Sequence, residues 1–465
     1  MRVILDELPE SLDETYERIL RNINKANRGH ALRLLQCLTV ALRPLRVEDL
    51  AEVLTVDFDA IRRGEIPKPN PSWRLVDQQQ AVLSTCSSLI AIVSDGDSQV
   101  VQFSHFSVKE FLISDRLARS SEDVSRYHVL LEPAHTILAQ ACLGVLLRLG
   151  DNIGPNEVWD IPLAIYSAEN WVDHAQFGAV SSRISEAIQH FFNEDKPHWG
   201  AWLRLYDLDS MHWSSSDTRT TTGHPVPLYY AALCGFHDLA GRLVVKHPGH
   251  VNAKGGRKNT PLGAALHWKH FHVADLLYRH GADVNRQDGT NLTLLNPVAY
   301  EGNVDAVRWL LDHGAILNIK TFLGRGGRST ALHCAASRGR LPVCRMLLER
   351  RADVNARNKL GLTALHVATD STNHRDQLDV MQFLIEKGAD VNARDKDGCT
   401  PLHHSSLWAK YAYVTCDEAI RRSRLLLERG AKINAKDKQR KTPLQLALGA
   451  GHSEMAEFLS SMGAR

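Results

Sequence analysis

The stretch "STALHCAASRGRLPVCRMLLERRADVN", residues 329–355, decides the fold of the C-terminal half. A threonine precedes a short run of small apolar residues, Arg-Gly-Arg breaks it, and a leucine-rich stretch follows before Ala-Asp-Val-Asn. Thr at an N-cap accepts a free backbone N–H and starts a helix. A break followed by a second apolar stretch reads as helix–turn–helix. Three more segments repeat the plan: "NTPLGAALHWKHFHVADLLYRHGADVN" (259–285), "LTALHVATDSTNHRDQLDVMQFLIEKGADVN" (362–392) and "CTPLHHSSLWAKYAYVTCDEAIRRSRLLLERGAKIN" (399–434). Weaker copies begin at Val226, Thr293 and Thr442, so the starts lie 34, 33, 37, 33, 37 and 42 residues apart.

This pattern resembles the ankyrin repeat, with its period of about 33 residues and its T-P-L-H-x-A signature. The resemblance covers 221–465 and implies a solenoid of about seven repeats. The residues support it independently. Pro after the N-cap threonine is tolerated because its missing N–H has no partner at a helix start. Ala231, Ala265, Ala335, Ala368 and Ala447 share one slot on the first helix, where a small side chain lets neighbouring helices approach. Gly281, Gly314, Gly388, Gly430 and Gly463 follow the second helix, where a left-handed residue ends it. Arg351 replaces that glycine in the fourth repeat, at a cost of about 1 kcal/mol if the geometry is kept. The long spacings place insertions near 371–377 and 408–417.

Several apparent chemical motifs dissolve inside the array. "DKDG" (395–398) lacks the later glutamate of a calcium loop and reads as a turn. His333, His366 and His403 recur in one slot, so they are expected to cap helices rather than hold metal. The segments between repeats are the candidate recognition surface. "NAKGGRKN" contributes Lys254, Arg257 and Lys258, and "NRQDG" contributes Arg286. "NIKTFLGRGGR" contributes Lys320, Phe322, Arg325 and Arg328. "NARNKLG" contributes Arg357 and Lys359, and "NARDKDG" contributes Arg394 and Lys396. "NAKDKQRK" adds Lys436, Lys438, Arg440 and Lys441. These fingers hold 15 Lys and Arg against 4 Asp. A solenoid lines them along one edge as a basic ridge that suits an acidic protein partner.

The first 120 residues read as three helices and a hairpin, a winged-helix outline. "LPESLDETYERILRNINKA", "ALRLLQCLTVAL" and "RVEDLAEVL" are amphipathic or apolar helices, and "DQQQAVLSTCSSL" is a fourth. "LIAIVS", the Asp-Gly turn and "QVVQFSH" form the hairpin, and Ser107 with Glu110 reads as a capping box for the next helix. From Leu75 through Val108 there is no Lys or Arg, while Glu48, Asp49, Glu52, Asp57 and Asp59 crowd the helix "RVEDLAEVL" and its exit. A duplex reader needs cations against phosphate, so no nucleic-acid partner is expected.

"LDELPESLDETYERIL", "RPLRVEDLAEVL" and "FSHFSVKEFL" resemble the winged-helix region that follows the NACHT-type NTPase in fungal STAND receptors, where ankyrin repeats commonly come next. In that family and in animal NLR receptors, the pattern F-x-H-x-S-x-x-E-F/Y-L supplies a histidine that reaches the ADP phosphate. By position it is His105, among Phe103, Ser107, Glu110, Phe111 and Leu112. No GxxxxGK(S/T) occurs in the sequence. The resemblance therefore implies a piece of a longer receptor, or a sensor acting on an NTPase of another chain. Read from the residues alone, His105 is a structural group at a strand–helix junction.

Residues 119–220 are helical and rich in aromatics, with Trp159, Trp171, Trp199, Trp202 and Trp213 expected in the core. They form a helical connector ending in a polar hinge at 211–225. Eight singly placed cysteines fit a reducing compartment, no apolar run reaches the ~20 residues of a membrane span, and acids near the N-terminus argue against a signal peptide. The expectation is a mostly α, cytoplasmic protein: winged-helix-like domain (1–118), connector (119–220) and ankyrin repeats (221–465). It binds proteins, uses no resident cofactor or metal, meets no membrane and, with no catalytic motif, is not an enzyme. A regulatory subunit for a separate STAND NTPase and a DNA-associated ankyrin regulator are the alternatives.

Overall fold

The structure, a computed structural model, describes residues 10–63, 65–73, 77, 82–83, 86, 88–96, 98–149, 157–193, 198–209, 212–213, 226–287, 292–321, 327–370, 377–407 and 415–465. It is mostly helical, and it divides into two compact units, Met1–Arg257 and Lys258–Arg465.

In the first unit α1 (Glu10–Arg21), α2 (Arg28–Val40) and α3 (Val47–Leu54) precede an antiparallel sheet. Its strands are β1 (Leu45–Arg46), β2 (Ile90–Asp95) and β3 (Ser98–Phe103), in the order β1-β3-β2. Ile92 pairs with Val101, and Val101 with Leu45. Gly96, at φ 59°, makes the hairpin turn. Leu34, Leu35, Leu45, Leu50, Val53 and Val101 fill the core of this winged helix. The helix expected at "DQQQAVLSTCSSL" lies largely outside the described residues.

The acids of α3 point inward rather than to solvent. Asp49 is 1% exposed; it binds the Arg46 guanidinium at 2.9 Å and accepts the Leu163 N–H at 2.6 Å. Glu52, 2% exposed, pairs with Arg148 at 3.3 Å. The connector helices Leu131–Leu146 and Ala164–Gln176 pack on each other, and the first also packs on α2. Gly144 is required at this seam, because a Cβ there would lie 2.5 Å from the Pro67 carbonyl oxygen. A buried carboxylate needs a partner, so these acids join winged helix to connector. Trp171 and Trp202 lie fully buried with Phe191, Phe192 and Phe236 around them, whereas Trp159 is 56% exposed. Trp199 is half-buried, and the Trp213 side chain lies outside the described residues.

The first repeat (Pro227–Leu233 and His237–Lys246) completes this unit. Gln176 donates to the Cys234 carbonyl at 2.7 Å, and Asp209 accepts the Tyr229 hydroxyl at 2.6 Å and the Arg257 N–H at 2.9 Å. A solenoid end needs covering, and the connector covers this one.

Among the described residues the second unit stacks six helix pairs, beginning with Pro261–His267 and Phe271–Arg279 and ending with Pro443–Gly449 and Ser453–Ser461. Ala265, Ala335, Ala368 and Ala447 are fully buried in their common slot. The closing glycines adopt φ of 84–92°, and Arg351 keeps the same left-handed turn at φ 69°. At three repeat ends the closing asparagine ties its repeat to the next. Asn392 donates to the Gly430 carbonyl at 3.0 Å and accepts the Lys432 N–H at 2.8 Å. Asn355 does the same with Gly388 and Asp390, and Asn285 with Gly314 and Ile316. The repeated histidines form a second ladder. His333 Nδ1 accepts the Thr330 N–H at 3.3 Å, and its Nε2–H donates to the Leu362 carbonyl at 2.9 Å. His366 and His403 reach Cys399 and Lys441 in the same way. Of the insertions expected near 371–377 and 408–417, residues 371–376 and 408–414 lie outside the described residues, and Gln377 and Cys416 already begin the following helices.

Candidate functional site

His105 sits between β3 and α4 (Phe106–Leu112), in extended backbone, as the N-cap of that helix. Its Nδ1 accepts the Ser107 N–H at 3.3 Å and lies 2.5 Å from Ser107 Oγ. Ser107 is fully buried, 2.8 Å from the Tyr16 hydroxyl. The sequence placed the cap on Ser107; the structure moves it to His105, because the strand ends at Phe103 and the helix begins at Phe106. A Ser–His pair of this kind is no nucleophile: the hydroxyl is sealed from solvent, and the imidazole nitrogen facing it caps a helix. Phe111 and Leu112 are core residues, while Phe103 is half-buried. The His105 ring itself is exposed beside Phe106, their centroids 4.3 Å apart, and Phe106 is 68% exposed. Among the described residues, His105 Nε2 has no hydrogen-bond partner.

The fingers divide their cations between structure and surface. Arg394 donates to the Lys436 carbonyl of the following finger at 2.6 Å and to Gly398 at 3.1 Å; Arg357 likewise binds the Arg394 carbonyl. These two arginines stitch successive fingers. Lys258 is 3.2 Å from Glu301, which also accepts from His267 at 2.9 Å. Arg286 is half-buried. Lys254, Arg257, Lys320, Arg328, Lys359, Lys396, Lys436, Lys438, Arg440 and Lys441 are exposed. Arg328 and Arg440 stand at positive φ, 49° and 63°. Phe322 and Arg325 lie outside the described residues. Tip backbones also bond to one another: Lys359 N–H to Gly327, Lys396 N–H to Leu360 and Lys438 N–H to Asp397, all at 2.9–3.0 Å.

Titratable groups follow burial and pairing. Burial brings His333 and His366 down to about 4 and lowers His403, which keeps all three neutral in the ladder. His404 goes the other way despite its burial, to about 9, because Asp370 and Asp395 flank it at 3.4 and 2.9 Å. Asp395 is the first residue of "DKDG", and its Oδ1 accepts the N–H groups of Asp397 and Cys399, closing a turn. Burial pushes Cys37, Cys86, Cys142, Cys334 and Cys344 up to about 12, so these thiols are packing groups. His135 and His174 meet at 2.8 Å, and His174 reaches the Tyr166 hydroxyl at 2.7 Å. Among the described residues no cluster of His, Cys, Asp or Glu has the arrangement to hold a metal ion, and no helix is long and apolar enough to cross a membrane.

With the stacked helix pairs and both ladders in place, known families can be set beside the chain. Ankyrin-repeat families match 257–289, 286–358 and 360–396. The repeats are ankyrin repeats. A family described as "GPI inositol-deacylase, winged helix domain" matches residues 17–123, from within α1 to beyond α4. The azaphilone pigments biosynthesis cluster protein L of Monascus ruber is 31% identical over 303 residues, covering 61% of this chain and 62% of that protein. The mouse ankyrin repeat and SAM domain-containing protein 6 is 34% identical over 89 residues, 19% of this chain and 10% of its own length. Alpha-latrocrustotoxin-Lt1a of Latrodectus tredecimguttatus is 39% identical over 66 residues, 14% of this chain and 5% of the toxin. The chain thus spans less than two thirds of each of these relatives. A fungal protein is among its homologues, and the ankyrin half marks it as a protein-interaction chain.

Proposed function

We propose that this chain is a non-catalytic recognition protein, the partner-binding arm of a cytoplasmic signalling receptor of the NACHT/STAND type. The observation that carries the reading is the ankyrin frame of the second unit. Asparagine, histidine and arginine bonds run from repeat to repeat and hold the backbone, while cationic side chains at the tips stay exposed. Such a surface is ordered before its partner arrives, which lowers the entropic cost of association. In this reading 1–118 is the receptor's winged helix, 119–220 its connector and 221–465 its recognition array. The winged-helix match and the order of the parts support the receptor assignment, and eight free cysteines suit a reducing compartment. Nucleic acid is not the partner in this reading, because the stretch from Leu75 through Val108, which includes the hairpin, brings no Lys or Arg to a phosphate backbone. The name of the Monascus ruber relative suggests one source of protein partners, the other proteins of a biosynthesis cluster.

The test is affinity capture with the full chain from its native cells, followed by lysine-directed cross-linking and peptide mapping. The proposal expects partner cross-links on the repeats of 258–465. Cross-links confined to the first unit would overturn it.

A second reading rests on His105, whose exposed Nε2 stands beside the Phe106 ring. Here the chain is a regulatory subunit that touches the nucleotide of a separate NACHT-type NTPase. Mixing the two proteins should slow ADP release, and His105→Ala should abolish the effect. An ADP off-rate that ignores the chain sinks this reading.

A further inference from the structure

Three fingers of the second unit carry a lysine in one slot: Lys359, Lys396 and Lys438. In each, the preceding Asn or Asp folds the turn beneath it. Asn358 accepts the Leu360 N–H at 2.9 Å, Asp395 the Asp397 N–H at 2.9 Å and Asp437 the Lys441 N–H at 2.8 Å. Gly361 and Gly398, both at φ 79°, let successive tips close up: a Cβ on either would lie 2.9–3.0 Å from the nitrogen of the next lysine. The bonds from Lys396 N–H to Leu360 and from Lys438 N–H to Asp397, both 2.9 Å, fix the lysine backbones against their neighbours. Arg357 and Arg394 are occupied by carbonyls of the following finger. The three lysine side chains are exposed, and none makes an ion pair among the described residues.

We infer that Lys359, Lys396 and Lys438 form a rigidly mounted cationic row that docks an extended acidic segment of a partner protein, and that Arg357 and Arg394 hold the row without contacting the partner. This deepens the recognition reading above and rests on it. The bonds from Lys396 and Lys438 go to the residue after the preceding lysine, so consecutive lysines stand on adjacent tips, and same-face side chains of an extended chain recur roughly every 6.7 Å. Alternate acids of an extended peptide can therefore meet successive lysines. A nucleic acid fits less well. The fingers 355–361, 392–398 and 434–441 contain no aromatic residue for a base to stack on.

The experiment measures anisotropy of a labelled octaglutamate peptide against the full chain at low salt, with octaglutamine and single-stranded octathymidylate as controls. The parent is expected to bind octaglutamate, weakening as salt rises, and to prefer it to both controls. Lys359→Gln/Lys396→Gln/Lys438→Gln should lose tenfold or more in affinity with an unchanged melting temperature. Arg357→Ala/Arg394→Ala should melt earlier yet bind normally well below its transition. No octaglutamate binding by the parent, undiminished binding by the triple-lysine variant or tighter binding of the oligonucleotide would each overturn the inference. If cross-links on the repeats persist in the triple-lysine variant, the recognition reading stands and the lysine row falls.

Discussion

Replacing Arg351 with glycine isolates one backbone contribution in the solenoid. Arg351 turns at φ 69° in the slot where Gly281, Gly314, Gly388, Gly430 and Gly463 turn at 84–92°. Its side chain is exposed and, among the described residues, meets no partner, so no contact is lost on substitution. A side chain in the left-handed region costs about 1–2 kcal/mol. Glycine's extra freedom in the unfolded chain returns about 0.4–1 kcal/mol of that. The net is a stabilisation of about 1 kcal/mol, worth roughly 2–4 °C in a unit of this size. Gly388→Arg is the mirror experiment: a Cβ there meets nothing within 4 Å, so strain alone should lower stability by a similar amount. Calorimetry on the full chain, following the transition of the second unit, reads both. The reasoning fails if Arg351→Gly leaves the transition unmoved or lowers it while Gly388→Arg is neutral.

The asparagine ladder predicts that Asn392→Ala, which removes a bond to the Gly430 carbonyl and another from the Lys432 N–H, destabilises the second unit by about 1–3 kcal/mol in urea unfolding. Asp49→Ala should cost the first unit about 3 kcal/mol, since it strands the buried Leu163 N–H and frees Arg46. The histidines give two opposite pH dependences. His333 and His366 sit at about 4 when folded, against about 6.5 when unfolded, so the unfolded chain takes up protons first as pH falls. Their contribution is full above pH ~6.5 and is lost as pH falls from there to about 4, each histidine giving up about 1.4 kcal/mol for every pH unit crossed. His404 sits at about 9, so its contribution is full below ~6.5 and is lost as pH rises through 9. Urea midpoints across pH should show both limbs. His404→Gln should flatten the alkaline one, and His333→Gln/His366→Gln the acid one, since Gln445 already fills that slot in the last repeat.

The parts legible in the sequence are those carried by local rules at a fixed period. Thr-Pro starts, the small slot on the first helix and the glycine after the second each obey short-range geometry, so even the exception at Arg351 was readable. The fingers were readable as cationic, but not as divided. Arg357 and Lys359 look alike in sequence; only the next finger's carbonyl, 37 residues away, separates a stitch from a surface charge. The same holds for Asp49 and Glu52. Their helix reads as acidic and solvated, and only the approach of Leu163 and Arg148 turns them inward. Trp159 and Trp171 share helical surroundings, yet one is exposed and the other fully buried, because what packs on each comes from elsewhere in the chain. At His105 the miss was of two residues: both His105 and Ser107 suit an N-cap, and the end of β3 selects between them.

Hydrogen exchange on the full chain, alone and with its captured partner, tests the recognition claim most directly. The account predicts slowed exchange at the finger backbones of 355–361, 392–398 and 434–441, with the winged-helix core unchanged. Protection confined to 10–257, with those fingers exchanging as in the free chain, would contradict it.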